Sequence, residues 1–376
     1  MNISLSSPDI TNLERYYVLS VLNTPHLSLG PVLEKFELEF AKYIGSRYAI
    51  AVNSGTSGLH VSVKALNIGR GDAVITTPFS FVASSNCILF EGARPIFVDI
   101  DPTNYNIDFE KIEDAIKKMK RHSLRIKAIL PVHVFGNPCN MDQINNLGKR
   151  YEIEVIEDAC EAIGAEWKGK KVGRFGKIGV FAFYPNKQIT TGEGGMVVTN
   201  NGRIAELCKS FRNQGRSENG GWLAHARLGY NYRLSDINCA LGLAQLKRID
   251  EILRKRKEVA ALYNKKLKNI EEIRIPDGEG ALCNRSWFVY VIQLRNGFSR
   301  HDRDNILKGL RSAGISCNNY FTPIHLQPFY KKLFGYKKGD FPITEHVSER
   351  TIALPFFNRL TEKQIDYVVG NLIRLL

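Results

Sequence analysis

Between residues 48 and 198 the chain repeats one pattern, in which a short apolar run, a turn and a helical stretch follow one another. Residues 48–52, 74–76, 96–98, 129–132, 155–156, 180–183 and 196–198 read as strands. Residues 59–66, 84–90 and 110–121 read as helices between them. Apolar runs without polar alternation belong to strands buried on both faces, and parallel strands need crossover helices to join them. The pattern predicts an α/β domain built on a mostly parallel seven-stranded sheet. Ligands of such sheets bind beyond the C-terminal ends of the strands. The residues just past each strand are therefore the candidates for chemistry.

Three of those strand ends carry complementary groups. The run Phe181-Ala182-Phe183-Tyr184-Pro185-Asn186-Lys187 ends an apolar strand in a Pro-Asn turn and presents one amine, with Thr190-Thr191-Gly192-Glu193-Gly194-Gly195 behind it. Val155-Ile156 runs into Glu157-Asp158, a carboxylate at a strand tip. Ser54-Gly55-Thr56-Ser57-Gly58 opens a helix whose first amides can face an anion. Pyridoxal phosphate (PLP) requires such a set. The amine of Lys187 forms a Schiff base, the Asp158 carboxylate keeps the pyridine nitrogen protonated, and Gly55, Thr56 and Ser57 cup the phosphate. Each residue also has a plainer reading. Most lysines are solvated surface groups. Asp158 could cap a helix beginning at Ala159, and Gly55 to Ser57 could be no more than a strand-to-helix turn. Phe81 could be core rather than a ring stacked on the cofactor. Arg233 and Asn231 could be helix-entry structure or phosphate donors, and His325 reads as a solvated loop histidine.

Composition narrows the partners. The net charge is +14, which suits nucleic acid, an anionic membrane or an anionic small substrate. The densest basic run, Lys117-Lys118-Met119-Lys120-Arg121, lies on a helical pattern and reads as a solvated helix face. No nucleic-acid motif and no membrane-length apolar run is present, so neither partner is expected. The first residues lack the basic and apolar regions of a signal peptide. The seven cysteines are scattered without a Cys-x-x-Cys pair, which argues against zinc or a disulfide framework and for the cytoplasm. No metal is expected.

The pattern changes near Ser235. Residues 236–263 read as one long helix, 287–292 as a strand, 304–313 and 362–375 as helices. We expect a large domain over residues 1–240, with an N-terminal arm over 1–30 that could cross to a partner subunit. A smaller α+β domain is expected over 241–376.

Taken together these motifs resemble the DegT/DnrJ/EryC1/StrS family of PLP-dependent sugar aminotransferases, which have the fold-type I, aspartate aminotransferase-like scaffold. The matching stretches run in order: Asn53 to Leu59, Thr77 to Ser84, Phe97 to Asp101, Pro131 to Gly136, Glu157 to Ala162, the Lys187 segment, Gly229 to Asp236, and Pro323 to Pro328. The resemblance implies that Lys187 holds the cofactor and shuttles the proton. It implies that Asp158 binds the pyridine nitrogen, Phe81 stacks on the ring, and Thr56 and Ser57 bind the phosphate. Asn231 would reach that phosphate from the neighbouring subunit of a homodimer with shared active sites. Tyr320, His325 and Arg233 would lie near the substrate, and the loop 213–227 near its diphosphate. The substrates implied are L-glutamate, which leaves the cofactor as pyridoxamine phosphate, and a nucleotide-diphosphate ketosugar of amino-sugar or polysaccharide (O-antigen) biosynthesis. Two positions depart from many members: Ala182 stands where a serine often helps bind phosphate, and Glu161 where Gln or His is common. Glu161, taken as cofactor-binding, and the 190–195 run resemble the perosamine-synthase branch, which favours C4 amination and leaves C3 open. Two rival readings are a PLP-dependent sugar dehydratase, in which histidine replaces the lysine, and a non-enzymatic basic DNA-binding regulator.

Overall fold

The computed structural model describes residues 1–119, 124–217, 221, 224–276, 280 and 282–376. Lys120 and Arg121 of the basic run lie outside the described residues, as do residues 218–220 and 222–223 of the loop expected near the diphosphate. Seven strands form the main sheet: β1 (Tyr48–Val52), β2 (Asp72–Thr76), β3 (Arg94–Phe97), β4 (Arg125–Ile129), β5 (Glu154–Asp158), β6 (Ile178–Ala182) and β7 (Gly195–Thr199). Their spatial order is β1-β7-β6-β5-β4-β2-β3. The pairs from β6 across to β3 are parallel, and only β7 runs against its neighbours β6 and β1. Every residue of β2 and of β7 is buried, as expected for strands covered on both faces.

The register sets the stage for the site. Gly195, the first residue of β7, pairs with Val52 at the end of β1 and with Ala182 at the end of β6. Three loops therefore converge at one point of the sheet edge. A Cβ on Gly195 would stand 2.6 Å from the carbonyl oxygen of Ser54. Only glycine lets the backbones approach so closely.

The helix Gly55–Ala65 follows β1 and is capped by Ser54, whose hydroxyl accepts the Ser57 amide at 3.0 Å. Helix Asp236–Lys247 is capped by Ser235. Its Asp236 carboxylate accepts the amides of Gly30 and Val32, and so caps a second helix, Pro31–Ile44, from outside. The long helix expected over 236–263 is broken at Arg248, where a new helix, Ile249–Leu267, begins. Arg248 turns into an ion cluster with Asp9, Glu14 and Glu251, and the chain bends to admit it.

Two apolar clusters meet along helix Ile249–Leu267, while the main-sheet cluster also takes in Phe288, Val289, Val291 and Ala353. Ile249 and Ile252 pack with the large domain, and Val259, Tyr263 and Leu267 with the small one. The small domain carries a three-stranded antiparallel sheet, in the order Ile273–Arg274, Tyr290–Leu294 and Thr351–Leu354. Within this chain the first residues pack against the C-terminal part. Ile3 bridges to Ile315 in the small-domain core, and Phe356 donates its amide to the Leu5 carbonyl.

Candidate active site

Two adjacent carboxylates end β5, and the period of two along a strand sends them to opposite faces. Glu157 is wholly buried and accepts the amides of Gly173, Phe175 and Gly176, with His133 Nε2 3.1 Å away. It ties the turn before β6 to the segment after β4. Asp158 faces a cavity of about 530 Å³ at the C-terminal edge of the sheet. Its Oδ2 accepts the hydroxyl of Ser84 at 2.7 Å and its Oδ1 the amide of Cys160 at 3.1 Å. The cap expected from Asp158 is thus an Asx-type turn to Cys160, with no helix following. Ser84 sits in turn against Ser80 at 2.8 Å. A carboxylate has about four acceptor positions, so Asp158 can still accept a proton-bearing ring nitrogen.

Lys187 reaches the same cavity through the turn after β6. Its Nζ lies 3.9 Å from the centroid of the Phe288 ring and 3.7 Å from Glu161 Oε1. Burial pushes the Glu161 carboxyl above the ordinary glutamate range, with Asp158 adding to the rise, while the Lys187 charge and the Phe135 amide pull the other way. The Phe135 amide donates to Glu161 Oε2 at 2.9 Å, so this carboxyl is fixed on one side and free to share a proton on the other.

Gly55 and Thr56 line the cavity opposite. Ser54 takes the Ser57 amide with its hydroxyl and the Gly58 amide with its carbonyl. The amides of Gly55 and Thr56 are then left at the cavity end of the helix, where a phosphate would sit. A Cβ on Gly55 would stand 2.7 Å from the Ala182 methyl and 3.0 Å from Cys160 Sγ, so the cup exists because position 55 has no side chain. Ser57 is buried beside it, but its hydroxyl donates to Asn53 Oδ1 at 2.7 Å and it is not among the cavity residues.

The structure gathers Gly55, Thr56, Phe81, Asp158, Glu161, Lys187 and Tyr320 around one cavity. Phe81 is 63% exposed at its mouth, where a second cavity of about 600 Å³ adjoins through Ser80, Phe81 and Phe321. Three sequence candidates lie elsewhere. His325 is wholly buried, with Nε2 3.0 Å from Glu345 and its ring edge-on to Phe341. Burial pulls its pKa down, against the opposing pull of Glu345. Its histidine-in-a-loop setting hid the fact that an aromatic cluster closes over it. Asn231 and Arg233 lie outside this cavity; Asn231 is exposed and Arg233 donates to Asn213 Oδ1.

Sequence reasoning missed Ser84 and Phe288. Serine in a first helical turn reads as helix entry, and Phe288 reads as strand core of a different domain. Only the docking of the small domain brings Phe288, Tyr320 and Phe321 over the amine.

Amine, carboxylate and phosphate cup at this edge of this sheet define a PLP enzyme of fold-type I, and the donor set fits that cofactor. The comparisons with known proteins agree. The DegT/DnrJ/EryC1/StrS aminotransferase family model matches residues 8–373, and the chain belongs to that family. It is 39% identical over 376 residues to the GDP-perosamine synthase of Caulobacter vibrioides, covering 100% of this chain and 98% of that protein. The solved Helicobacter pylori PseC, an aminotransferase of pseudoaminic acid biosynthesis, superimposes with a TM-score of 0.92 at 29% identity, over 100% of this chain and 99% of that one. Spr1654 of Streptococcus pneumoniae in its PLP form gives a TM-score of 0.92 at 26% identity, with both chains covered in full. The protein is therefore a PLP-dependent sugar aminotransferase.

Proposed function

We propose that the protein moves the amino group of L-glutamate to the keto carbon of a nucleotide-linked keto-deoxysugar, with C4 favoured and C3 left open, as a cytoplasmic homodimer with shared active sites. The observation that carries the reading is the convergence of Lys187, Asp158 and the Gly55-Thr56 cup on one cavity. When bound, PLP supplies an electron sink for the carbon that bears the amine. The chain supplies the rest. Lys187 would hold the cofactor and, once released from it, act as the base that takes the proton from the amine-bearing substrate carbon. Asp158, held by Ser84 and the Cys160 amide, keeps a proton on the pyridine nitrogen. Gly55 and Thr56 fix the phosphate, with Ser57 supporting the cup through Asn53. Phe81, at the cavity mouth, would cover one face of the ring. Phe288 and Tyr320 exclude water above the amine. Glu161 faces Lys187 and can hold a proton there.

The sugar reading draws support from the relative named GDP-perosamine synthase, from Glu161 and from the run 190–195. The net charge of +14 suits a diphosphate, and the adjoining cavity suits a substrate larger than an amino acid. Asn231, exposed and away from this chain's own cavity, is available to a partner's phosphate. All seven cysteines are free thiols, as a reducing compartment permits.

The test is the visible spectrum of the purified protein before and after L-glutamate, then turnover with a panel of nucleotide ketosugars. A yellow protein that bleaches on glutamate and aminates a 4-keto sugar is expected. Lys187→Ala should abolish turnover while still binding cofactor weakly. Full activity in that variant, or a protein that takes up no PLP, would overturn the reading.

A further inference from the structure

The segment that carries Asn231 is clamped from beneath. It runs extended, with Tyr230 and Tyr232 on one face and Asn231 and Arg233 on the other. Its backbone is fixed on both edges. Tyr230 and Tyr232 donate to the carbonyls of Phe211 and Arg212, and the Asn53 amide donates to the Tyr232 carbonyl at 2.9 Å. The two tyrosine rings stack with centroids 4.9 Å apart and planes 12° from parallel.

Their hydroxyls end in a polar cluster centred on Glu91, the residue that closes helix Ala83–Phe90. Glu91 Oε1 accepts the Tyr230 hydroxyl at 2.8 Å and lies 2.8 Å from His60 Nε2. Lys64 Nζ donates to both carboxylate oxygens, at 3.1 and 3.0 Å. His60 Nδ1 lies 3.1 Å from the Tyr232 hydroxyl. Lys64 also sits over the rings of Phe211 and Tyr230. One carboxylate thus joins three pieces of the site. Its own helix carries Ser84, which holds Asp158. His60 and Lys64 stand on the helix whose N-terminus is the phosphate cup. Tyr230 stands on the segment that presents Asn231.

We infer that Glu91 is a positioning residue for cofactor retention: by pinning Tyr230 inward it fixes Asn231 outward, toward the phosphate held by a second copy of this chain. The inference rests on the proposed role of Asn231. Remove the pin, and the segment keeps its backbone hydrogen bonds but loses the side-chain anchor beneath it, so the direction of Asn231 is less sharply fixed. Asn231 then points at the partner's phosphate for only part of the time, and its affinity contribution falls by that fraction. The Lys64 and Glu91 side chains are 18% and 15% exposed, so their ion pair is screened less than a surface pair would be.

The test measures the rate of PLP loss from the dimeric holoenzyme in the wild type, Asn231→Ala, Glu91→Gln, Tyr230→Phe and Glu91→Gln/Asn231→Ala. Apoenzyme melting is followed in parallel. Tyr230→Phe removes one hydroxyl and keeps the ring stack, so it folds even if Glu91→Gln does not. We expect Asn231→Ala, Glu91→Gln and Tyr230→Phe each to lose PLP about tenfold faster, the effect of one charge-assisted hydrogen bond. The double variant should lose it no faster than Asn231→Ala alone. If Asn231→Ala is faster but Glu91→Gln and Tyr230→Phe match the wild type, the clamp is overturned while the Asn231 reading survives. If the double variant is additive, Glu91 acts through its own cup and not through Asn231, which also overturns it. Wild-type retention in Asn231→Ala would remove the reading on which the inference stands.

Discussion

Moving one methyl group across the cup tests the most restrictive feature of the site. Gly55→Ala would place a Cβ 2.7 Å from the Ala182 methyl and 3.0 Å from Cys160 Sγ. Carbon atoms prefer separations of about 3.5–4.0 Å. The Ala182 methyl is fixed to the backbone of β6 and cannot swing away, so helix or strand must shift. Overpacking of this kind costs about 1–3 kcal/mol. Gly55 lies in a first helical turn, where alanine recovers about 0.5–1 kcal/mol. The net loss is then at most about 2.5 kcal/mol of apoenzyme stability. Cofactor binding should suffer more. A shift of a few tenths of an ångström draws the Gly55 and Thr56 amides off the phosphate, and a hydrogen bond to a charged group is worth about 1.5–3 kcal/mol, or roughly 10- to 100-fold in affinity. In Gly55→Ala/Ala182→Gly the methyl has changed sides. The closest contact is gone, and Cys160 can rotate to relieve the other. PLP affinity should return to within about threefold of wild type, although glycine at the end of β6 keeps the melting temperature low. The assay is titration of apoenzyme with PLP by absorbance, with thermal melting alongside. Wild-type affinity in Gly55→Ala would refute the packing argument. A double variant no better than Gly55→Ala would show that Ala182 is not the obstacle.

Three further outcomes are expected. Ala182→Ser places a hydroxyl at the cup, and should slow PLP loss about tenfold in a dilution assay, the worth of one hydrogen bond to a charged acceptor. Glu161 has its carboxyl raised by burial, so it favours folding when protonated. The apoenzyme should lose stability as pH climbs from the ordinary glutamate range through the raised value, and pH-resolved melts of Glu161→Gln should be flatter over that window. Asp9 is the opposite case. Burial works to raise its pKa, but Arg359, Asn358, Arg248 and Lys255 outweigh it and hold the carboxyl below the ordinary aspartate value. Its contribution is present above that ordinary value and lost as pH falls through the depressed one. Asp9→Asn should cost about 2–3 kcal/mol in denaturant melts at neutral pH, less than a fully buried pair because Arg359 is well exposed. Such melts should also show less acid sensitivity.

The sequence by itself determined the sheet, because buried parallel strands must be apolar throughout and their crossovers must be helical. It also determined the reacting groups near the strand tips, since Asp158 ends β5, Gly55-Thr56 follow β1 within a few residues and Lys187 lies on the turn after β6. What it could not decide was anything that depends on a distant element. Ser84 became the support of Asp158 only when its helix, packed against β2 and β3, carried it to the end of β5. Phe288 became the roof over Lys187 only when the C-terminal part of the chain packed against the sheet edge, and His325 a buried partner of Glu345 only when the segments Ile324–Leu326 and Pro342–Ser348 came together. The break at Arg248 answers to Asp9 and Glu14, more than two hundred positions earlier. Local signals are written in consecutive residues. Contacts made across hundreds of residues are set by how whole surfaces fit, and that is settled only in the tertiary structure.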